Sequence, residues 1–272
     1  MHTNFSDGVL SPKLLVEKCR SIGLKIISIT DHDSTLAYNE IIENKLNQNI
    51  KVIPGVELSA SIDEREVHIL GYFVKSDDEY LMKTLSDFRN GRKTRAYKIA
   101  EKLSKIGIKI DIESLILKLE TESKSSAVGR LHIAKEIVRL GFAKNTMEVF
   151  ANYLGHNCPA FVSRPHFTIT ETVELISNSG GVSFLAHPGR SMEESTLETI
   201  VKSGIDGIEV KHPSHKNFVE RFYRDFARMK NLLVSGGSDY HGVNPNEENN
   251  LGNFGITENQ LLKIEELSYK RK

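Results

Sequence analysis

Ten histidines are scattered along the chain, and several stand beside a carboxylate where an apolar run gives way to polar residues. Asp31, His32 and Asp33 follow the run at 25–30, and Glu57 closes the run at 51–56. His68 lies inside the run at 67–73, and His187 follows the run at 181–186. Asp239 and His241 follow the run at 232–237, while His2 and Asp7 precede the first run. Imidazoles and carboxylates in this number, without thiolates, suit Mn, Fe or Zn, with Mg as a further option. One shared carboxylate can hold two cations roughly 3.5–4 Å apart, the arrangement of hydrolytic two-metal sites. Taken singly, each residue could simply cap a strand or helix, and Asp33 reads as a helix N-cap. Taken together, carboxylates converging on one mouth would repel one another unless cations compensated them.

The elements that must position these groups alternate in type. Strand-like runs at 25–30, 51–56, 67–73, 181–186, 207–210 and 232–237 are separated by helical patterns. Ser11-Pro12 opens one helix and Gly23 closes it; Thr170 to Asn178 forms another before Gly180-Gly181. This rhythm predicts an α/β fold with a parallel sheet, whose site forms at the C-terminal ends of the strands. Residues 78–161 break the rhythm with helical segments at 81–106, 112–119, 131–140 and 146–154. The expected organisation is a barrel domain of residues 1–77 and 162–272 carrying a helical cap insertion of residues 78–161.

Five segments resemble the motifs of the PHP (polymerase and histidinol phosphatase) superfamily. They are His2-Thr3-Asn4-Phe5-Ser6-Asp7-Gly8, Thr30-Asp31-His32-Asp33, Pro54-Gly55-Val56-Glu57, Ala186-His187-Pro188 and Ser238-Asp239-Tyr240-His241. The resemblance runs through nearly the whole chain in order. It implies a distorted (β/α)7 barrel with up to three divalent metal ions, manganese foremost, that cleaves phosphoesters. By the same resemblance one metal takes His2, Glu57 and Asp239, a second Asp7, His32 and His241, and a third Glu57, His68 and His187. Glu57 is then the bridge, and Asp31 orients a ligand imidazole from behind. The family's pattern opens with a strand and His-x-His, whereas here Met1 stands before His2, at the x. The expectation is a start codon assigned too late; were the deletion real, loss of an inner strand would expose its neighbours' edges. A metal with three protein ligands could still bind.

The insertion carries a second signal. Gly129-Arg130-Leu131-His132-Ile133-Ala134 opens a helix, where backbone N–H groups favour an anion. Arg130 can grip phosphate bidentately, and His132 can hydrogen-bond it or donate a proton. Either residue alone would read as a surface arginine or a helix-side histidine. Together they resemble the Gly-Arg-x-His-Ile-Ala segment of a PHP subgroup acting on nucleotides, which includes 3',5'-nucleoside bisphosphate phosphatases and 5'-to-3' exonucleases. His212-Pro213-Ser214-His215 resembles the same subgroup's strand end and makes His215 a candidate for touching the scissile phosphate or the leaving oxygen, with His212 structural. Lys211 occupies a place where an aromatic residue is expected. Arg89, Arg92, Lys93, Arg95 and Lys98 read first as a solvated helix face, and second, for Arg92 and Arg95, as guides for phosphate. His156, Arg164 and His166 are assigned structural roles by default.

Composition narrows the function classes. The chain has 272 residues, 39% of them hydrophobic and 26% charged, enough for one sizeable core. With 36 basic and 36 acidic residues it has no bulk attraction for a polyanion, which favours a small nucleotide or short oligonucleotide over a long strand. Cys19 and Cys158 form no disulfide framework, and the apolar runs are too short to span a membrane. No export leader is legible, so a cytoplasmic protein without membrane contact or stable protein partner is expected. The reading is a phosphoric ester hydrolase that attacks nucleotide phosphates through a metal-activated hydroxide. Its alternatives are a histidinol phosphate phosphatase and a degenerate, non-catalytic PHP binding module.

Overall fold

Local signals shape the first helix closely. The computed structural model describes residues 1–62, 65–122, 128–163, 167–190 and 192–272, so Arg164 and His166 lie outside the described residues. In α1 (Pro12–Ser21) the Ser11 hydroxyl accepts the Leu14 N–H at 3.4 Å, proline occupies the first turn, and Leu15, Val16 and Cys19 are buried. Then follow β1 (Ile26–Ile29), α2 (Leu36–Glu43), β2 (Lys51–Ile62) and β3 (Arg65–Tyr72). The insertion contributes α3 (Glu79–Lys105), α4 (Ile112–Glu122), α5 (Arg130–Arg139) and α6 (Thr146–Val149), the last running into a π-helical turn, Phe150–Leu154. Beyond it come β4 (Phe167–Thr168), α7 (Ile169–Asn178), β5 (Val182–Leu185), α8 (Glu194–Lys202), β6 (Gly207–Lys211), α9 (Asn217–Met229), β7 (Leu233–Gly236), α10 (Pro245–Glu248) and α11 (Glu258–Tyr269).

The sheet runs β1-β2-β3-β5-β6-β7, with β4 added alongside β2. It departs from the all-parallel expectation at one strand, because β3 is antiparallel to both β2 and β5. The cause is covalent: only residues 63 and 64 separate β2 from β3, too few for the crossover that a parallel pair needs. The two terminal strands do not pair with each other, but Met1 and His2 span their ends. Thr30 donates its N–H to the Met1 carbonyl at 3.0 Å, and His2 donates its N–H to the Tyr240 carbonyl at 2.8 Å. The sheet therefore curls until its ends nearly meet. A cavity of about 610 Å3 lies between them, lined by Ile26, Ser28, Tyr72, Ser235, Phe254 and Leu261 among others.

Two cores share α3. Its first half places Leu81, Leu85 and Phe88 in the sheet core with Leu58, Ile69 and Phe226. Its second half places Ala96, Ile99 and Leu103 in a separate cap core with Ile133, Val149 and Leu154. The ring of Phe88 meets that of Phe167 edge to face at 4.8 Å. A 27-residue helix is about 40 Å long. It therefore carries the chain from the sheet core into the second core. The expected boundary at residue 78 falls at the N-cap of α3, where the Asp78 carboxylate accepts the Leu81 N–H at 2.8 Å.

Candidate metal centre and its cap

The ladder between β1 and β2 carries on past the end of β1 and aligns the first candidate ligands. His32 bridges to Glu57; Asp33 donates its N–H to the Glu57 carbonyl at 3.0 Å, and Glu57 donates its own to the Asp31 carbonyl at 3.2 Å. His68 comes from β3, His187 from the turn after β5, and Asp239 and His241 from the segment after β7. Asp33, His187 and Asp239 have φ of +51°, +27° and +47°, conformations that non-glycine residues hold only where their surroundings impose them. His2 and Asp7 arrive on the opening loop. Asp31 organises that loop by accepting from the Thr3 N–H at 2.7 Å and from the Thr3 and Ser6 hydroxyls, both at 2.6 Å. Asp31 thus reaches the His2 ring through Ser6, whose Oγ lies 3.4 Å from His2 Nδ1. Gly8 permits the tight closure, since a Cβ there would lie 2.4 Å from the His2 carbonyl oxygen.

All eight predicted ligands come together. Nε2 of His2 lies 3.1 Å from both Glu57 Oε2 and Asp239 Oδ1. Around Asp7, His241 Nε2 is at 3.3 Å, His2 Nδ1 at 3.6 Å and His32 Nε2 at 3.7 Å. On the other side of Glu57, its Oε1 is 2.7 Å from His68 Nδ1 and 3.1 Å from His187 Nε2. Among the described residues three groups have ligand atoms mutually within 4.8 Å: His2/Asp7/His32/His241, His32/Glu57/His68 and His2/Glu57/Asp239. At bond lengths of roughly 2.0–2.2 Å, such atoms fit around a divalent cation. Among the described residues the buried Nδ1 of His32 has no hydrogen-bond partner, whereas His212 Nε2 lies 3.6 Å from Asp239 Oδ2. The donor set and its spacing fit divalent metals.

Electrostatics give the same picture. Burial alone would lower the pKa of His2, but Asp239, Glu57 and Asp7 outweigh it and push the group up to about 10. Burial is likewise overcome at His68, raised to about 10 by Glu57 and Glu66. Asp7, Glu57 and Asp239 are held well below the carboxylate range because the imidazoles around them overcome their burial. His32 is different: burial prevails and lowers it to about 4.

The cap sets its arginines against the barrel. Arg92 donates from Nε to the fully buried Asp33 carboxylate at 2.6 Å and from Nη2 to Ser59 at 3.3 Å; Arg89 donates to the Asp33 carbonyl at 2.7 Å. Asp33 is therefore an arginine anchor, and the N-cap position of α2 falls to Thr35. Arg95 donates to the Val162 carbonyl at 2.9 Å, and Arg130 donates to Glu66 at 2.6 Å. His132 accepts the Gly129 N–H on Nδ1 at 3.0 Å, which leaves Nε2 to carry its proton. Burial lowers its pKa to about 4, with Lys135 and Arg92 adding to the shift. Lys93 pairs with Glu120 and Lys98 is exposed, a solvated face as read. His156 packs its exposed ring on Phe161 at 5.1 Å.

His215 stands apart from the cluster, two rings beyond His187 through His212. Its Nδ1 donates to the Val210 carbonyl at 2.8 Å and its Nε2 accepts the Gly189 N–H at 3.1 Å. Two acidic residues were missed by sequence reasoning. Glu209, buried in β6, accepts the His187 N–H at 2.8 Å and is raised to about 7, burial being the main cause. Glu66 lies two residues before His68 on β3 and contacts it. A charged residue inside the apolar run at 207–210, and the Glu-x-His spacing of a strand face, were the available signals.

The chain is similar to several known proteins. The PHP domain model matches residues 1–148. The chain is 32% identical over 249 residues to the 5'-3' exoribonuclease Rnm of Escherichia coli (strain K12), covering 88% of this chain and 83% of that protein. It is 29% identical over 245 residues to the 3',5'-nucleoside bisphosphate phosphatase of Chromobacterium violaceum, covering 88% and 85%. A solved Chromobacterium violaceum amidohydrolase, with bound sulfate and no metal, matches at a TM-score of 0.85 and 27% identity over 98% of this chain and 94% of that one. With these likenesses spanning most of the chain, and with the imidazoles and carboxylates gathered at the strand ends, the chain belongs to the PHP domain family and is a phosphoesterase.

Proposed function

We propose that the enzyme hydrolyses nucleotide phosphates, either a nucleoside 3',5'-bisphosphate or the 5' end of a short oligonucleotide. The observation that carries this reading is that Arg130 and Arg95 meet Glu66, itself 3.7 Å from the candidate ligand His68, while Arg92 meets Asp33 next to His32 and His132 feels the charge of Asp7, an arrangement suited to a phosphate held between cap and candidate metal ligands. The likeness to an exoribonuclease and to a nucleoside bisphosphate phosphatase supports nucleotides as the substrate class. The neutral charge balance of the chain supports a small or short substrate over a long strand.

His2, Asp7, His32, Glu57, His68, His187, Asp239 and His241 would hold up to three divalent cations, manganese foremost, with Glu57 shared between sites. Cations bound there would supply Lewis acidity at phosphorus and lower the pKa of a coordinated water. Arg130 and Arg92 bind phosphate oxygens with N–H donors, Arg92 being held in direction by Asp33. His132, neutral at pH 7, donates a hydrogen bond from Nε2. Arg95 adds positive charge while its Nε anchors the segment at Val162. His215 fixes the turn after β5 by gripping the Gly189 N–H, and so helps to orient His187. No helix among the described residues is long and apolar enough to cross a membrane. The free thiols of Cys19 and Cys158 support a reducing, cytoplasmic setting.

The test is phosphate release from adenosine 3',5'-bisphosphate by the Mn2+-loaded protein, run beside a 5'-phosphorylated RNA oligonucleotide and histidinol phosphate. Turnover of either nucleotide substrate well above that of histidinol phosphate is expected. Preference for histidinol phosphate, or no release from nucleotides with Mn2+, Fe2+, Zn2+ or Mg2+, would reject the reading.

A further inference from the structure

One carboxylate without a task in this scheme lies between the two halves of the site. Glu66 and His68 are two apart on β3, so the alternation of the strand sets them on one face. Glu66 Oε1 lies 3.7 Å from His68 Nε2, whereas the other ring nitrogen, Nδ1, faces Glu57 Oε1 at 2.7 Å. Glu66 Oε2 accepts from Arg130 Nη2 at 2.6 Å and lies 3.9 Å from Arg95 Nη1. A single side chain thus touches a candidate ligand of the barrel and two cations of the cap.

We propose that Glu66 is a positioning residue that fixes the His68 imidazole toward the metals and holds Arg130 in place to receive phosphate. An imidazole that ligates through one nitrogen is oriented by a carboxylate at the other, and Glu66 stands at that second nitrogen. Arg130 meets Glu66 through one nitrogen. Among the described residues its other donors have no hydrogen-bond partner, so they remain for an anion. The ring of Phe150, 5.8 Å from the guanidinium carbon, limits how far the head can swing. A guanidinium already held in direction loses less freedom when phosphate arrives. Glu66 does not repel that phosphate, because two guanidinium groups neutralise it.

The experiment uses the full chain with Glu66→Ala, Glu66→Gln, Arg130→Ala and the double variant Glu66→Ala/Arg130→Ala. Mn2+ affinity is measured by calorimetry. Arg130 is followed by KM for adenosine 3',5'-bisphosphate and by Kd for inorganic phosphate. Glu66→Ala should weaken Mn2+ binding by about 10- to 100-fold. At saturating Mn2+ it should raise KM and the phosphate Kd roughly 10-fold, with a smaller change in kcat. The amide oxygen of Glu66→Gln can still accept from Arg130, so this variant should regain most of the KM while Mn2+ binding stays weak. The double variant should bind phosphate no worse than Arg130→Ala. Wild-type Mn2+ affinity in Glu66→Ala, or fully additive effects in the double variant, would overturn the proposal. The KM arm rests on the nucleotide reading. A wild type inert toward the bisphosphate would reject that reading and leave Glu66 to be judged on Mn2+ and phosphate binding.

Discussion

His68, on the sheet, and His132, at the start of α5, stand in opposite electrostatic settings. In the barrel mouth, Glu57 and Glu66 overcome burial and raise His68 to about 10. In the cap, burial prevails with help from Lys135 and Arg92, and His132 is lowered to about 4. The same side chain is a cation in one half and a neutral donor in the other. The mouth is built to hold positive charge, and in the absence of metal, protons take that role at nitrogens that metals would claim. The cap is already cationic and is built to hold an anion. Net neutrality of the whole chain conceals this opposition, which is local and spans only a few side chains.

The sharpest way to break the contrast is to remove the residue that both sides of the mouth share. Glu57→Gln should lower kcat by at least ~100-fold, since it removes a central group rather than a supporting one. It should also abolish the rise in melting temperature that Mn2+ gives the wild type, read by calorimetry with and without EDTA. A Mn2+-dependent shift that survives this substitution would remove Glu57 from the metal centre. The next largest effect should come from the join between the regions. Asp33→Ala leaves Arg92 buried without its carboxylate, a change that costs about 3 kcal/mol. At this chain length the melting temperature should fall by about 6–12 °C. An unchanged melting temperature would mean that Asp33 does not fix the cap. Arg130→Ala comes third and should separate the two functions: substrate KM rises by about 10-fold or more, while Mn2+ affinity stays within a factor of about three. Loss of metal binding in that variant would tie the cap arginine to the metal centre directly.

How far the sequence disclosed this arrangement depended on the range of each contact. Five of the eight candidate ligands, His32, Glu57, His187, Asp239 and His241, were legible because they stand where an apolar run ends, and strand-end chemistry is local information. Glu57 does not close its strand: it is internal to β2, which continues to Ile62 and pairs with β3 along the way. The reversal of β3 escaped because Asp63-Glu64 carries no glycine or asparagine to announce a hairpin. Asp33 read as a helix cap because its true partner, Arg92, lies 59 residues away and only the fold unites them. His215 read as a substrate group because its type and motif are visible in sequence, whereas the Gly189 and Val210 backbone groups that occupy its nitrogens are not. Glu66 was within reach, since the spacing to His68 places both on one strand face. Its arginine partner on α5 was not.

The smallest expected effect is also the one that tests the cap's half of the contrast by sign. The unfolded chain protonates His132 near pH 6.5, whereas the folded chain resists protonation until about pH 4. Between these values the unfolded state binds more protons, so the contribution of His132 to stability is lost as pH falls from about 6.5 toward 4. A histidine of the mouth behaves oppositely: with His68 raised to about 10, its contribution in metal-free protein is complete below pH 6.5 and lost as pH climbs toward 10. His132→Gln removes the titrating group, and its side-chain oxygen can still take the Gly129 N–H that Nδ1 accepts. Melting temperatures of wild type and variant, followed from pH 7.5 to 4.5 in EDTA, should diverge below pH 6.5, with the wild type falling faster. Parallel curves would mean that His132 titrates as it does in water, and the cap would then lack the cationic, water-poor character assigned to it.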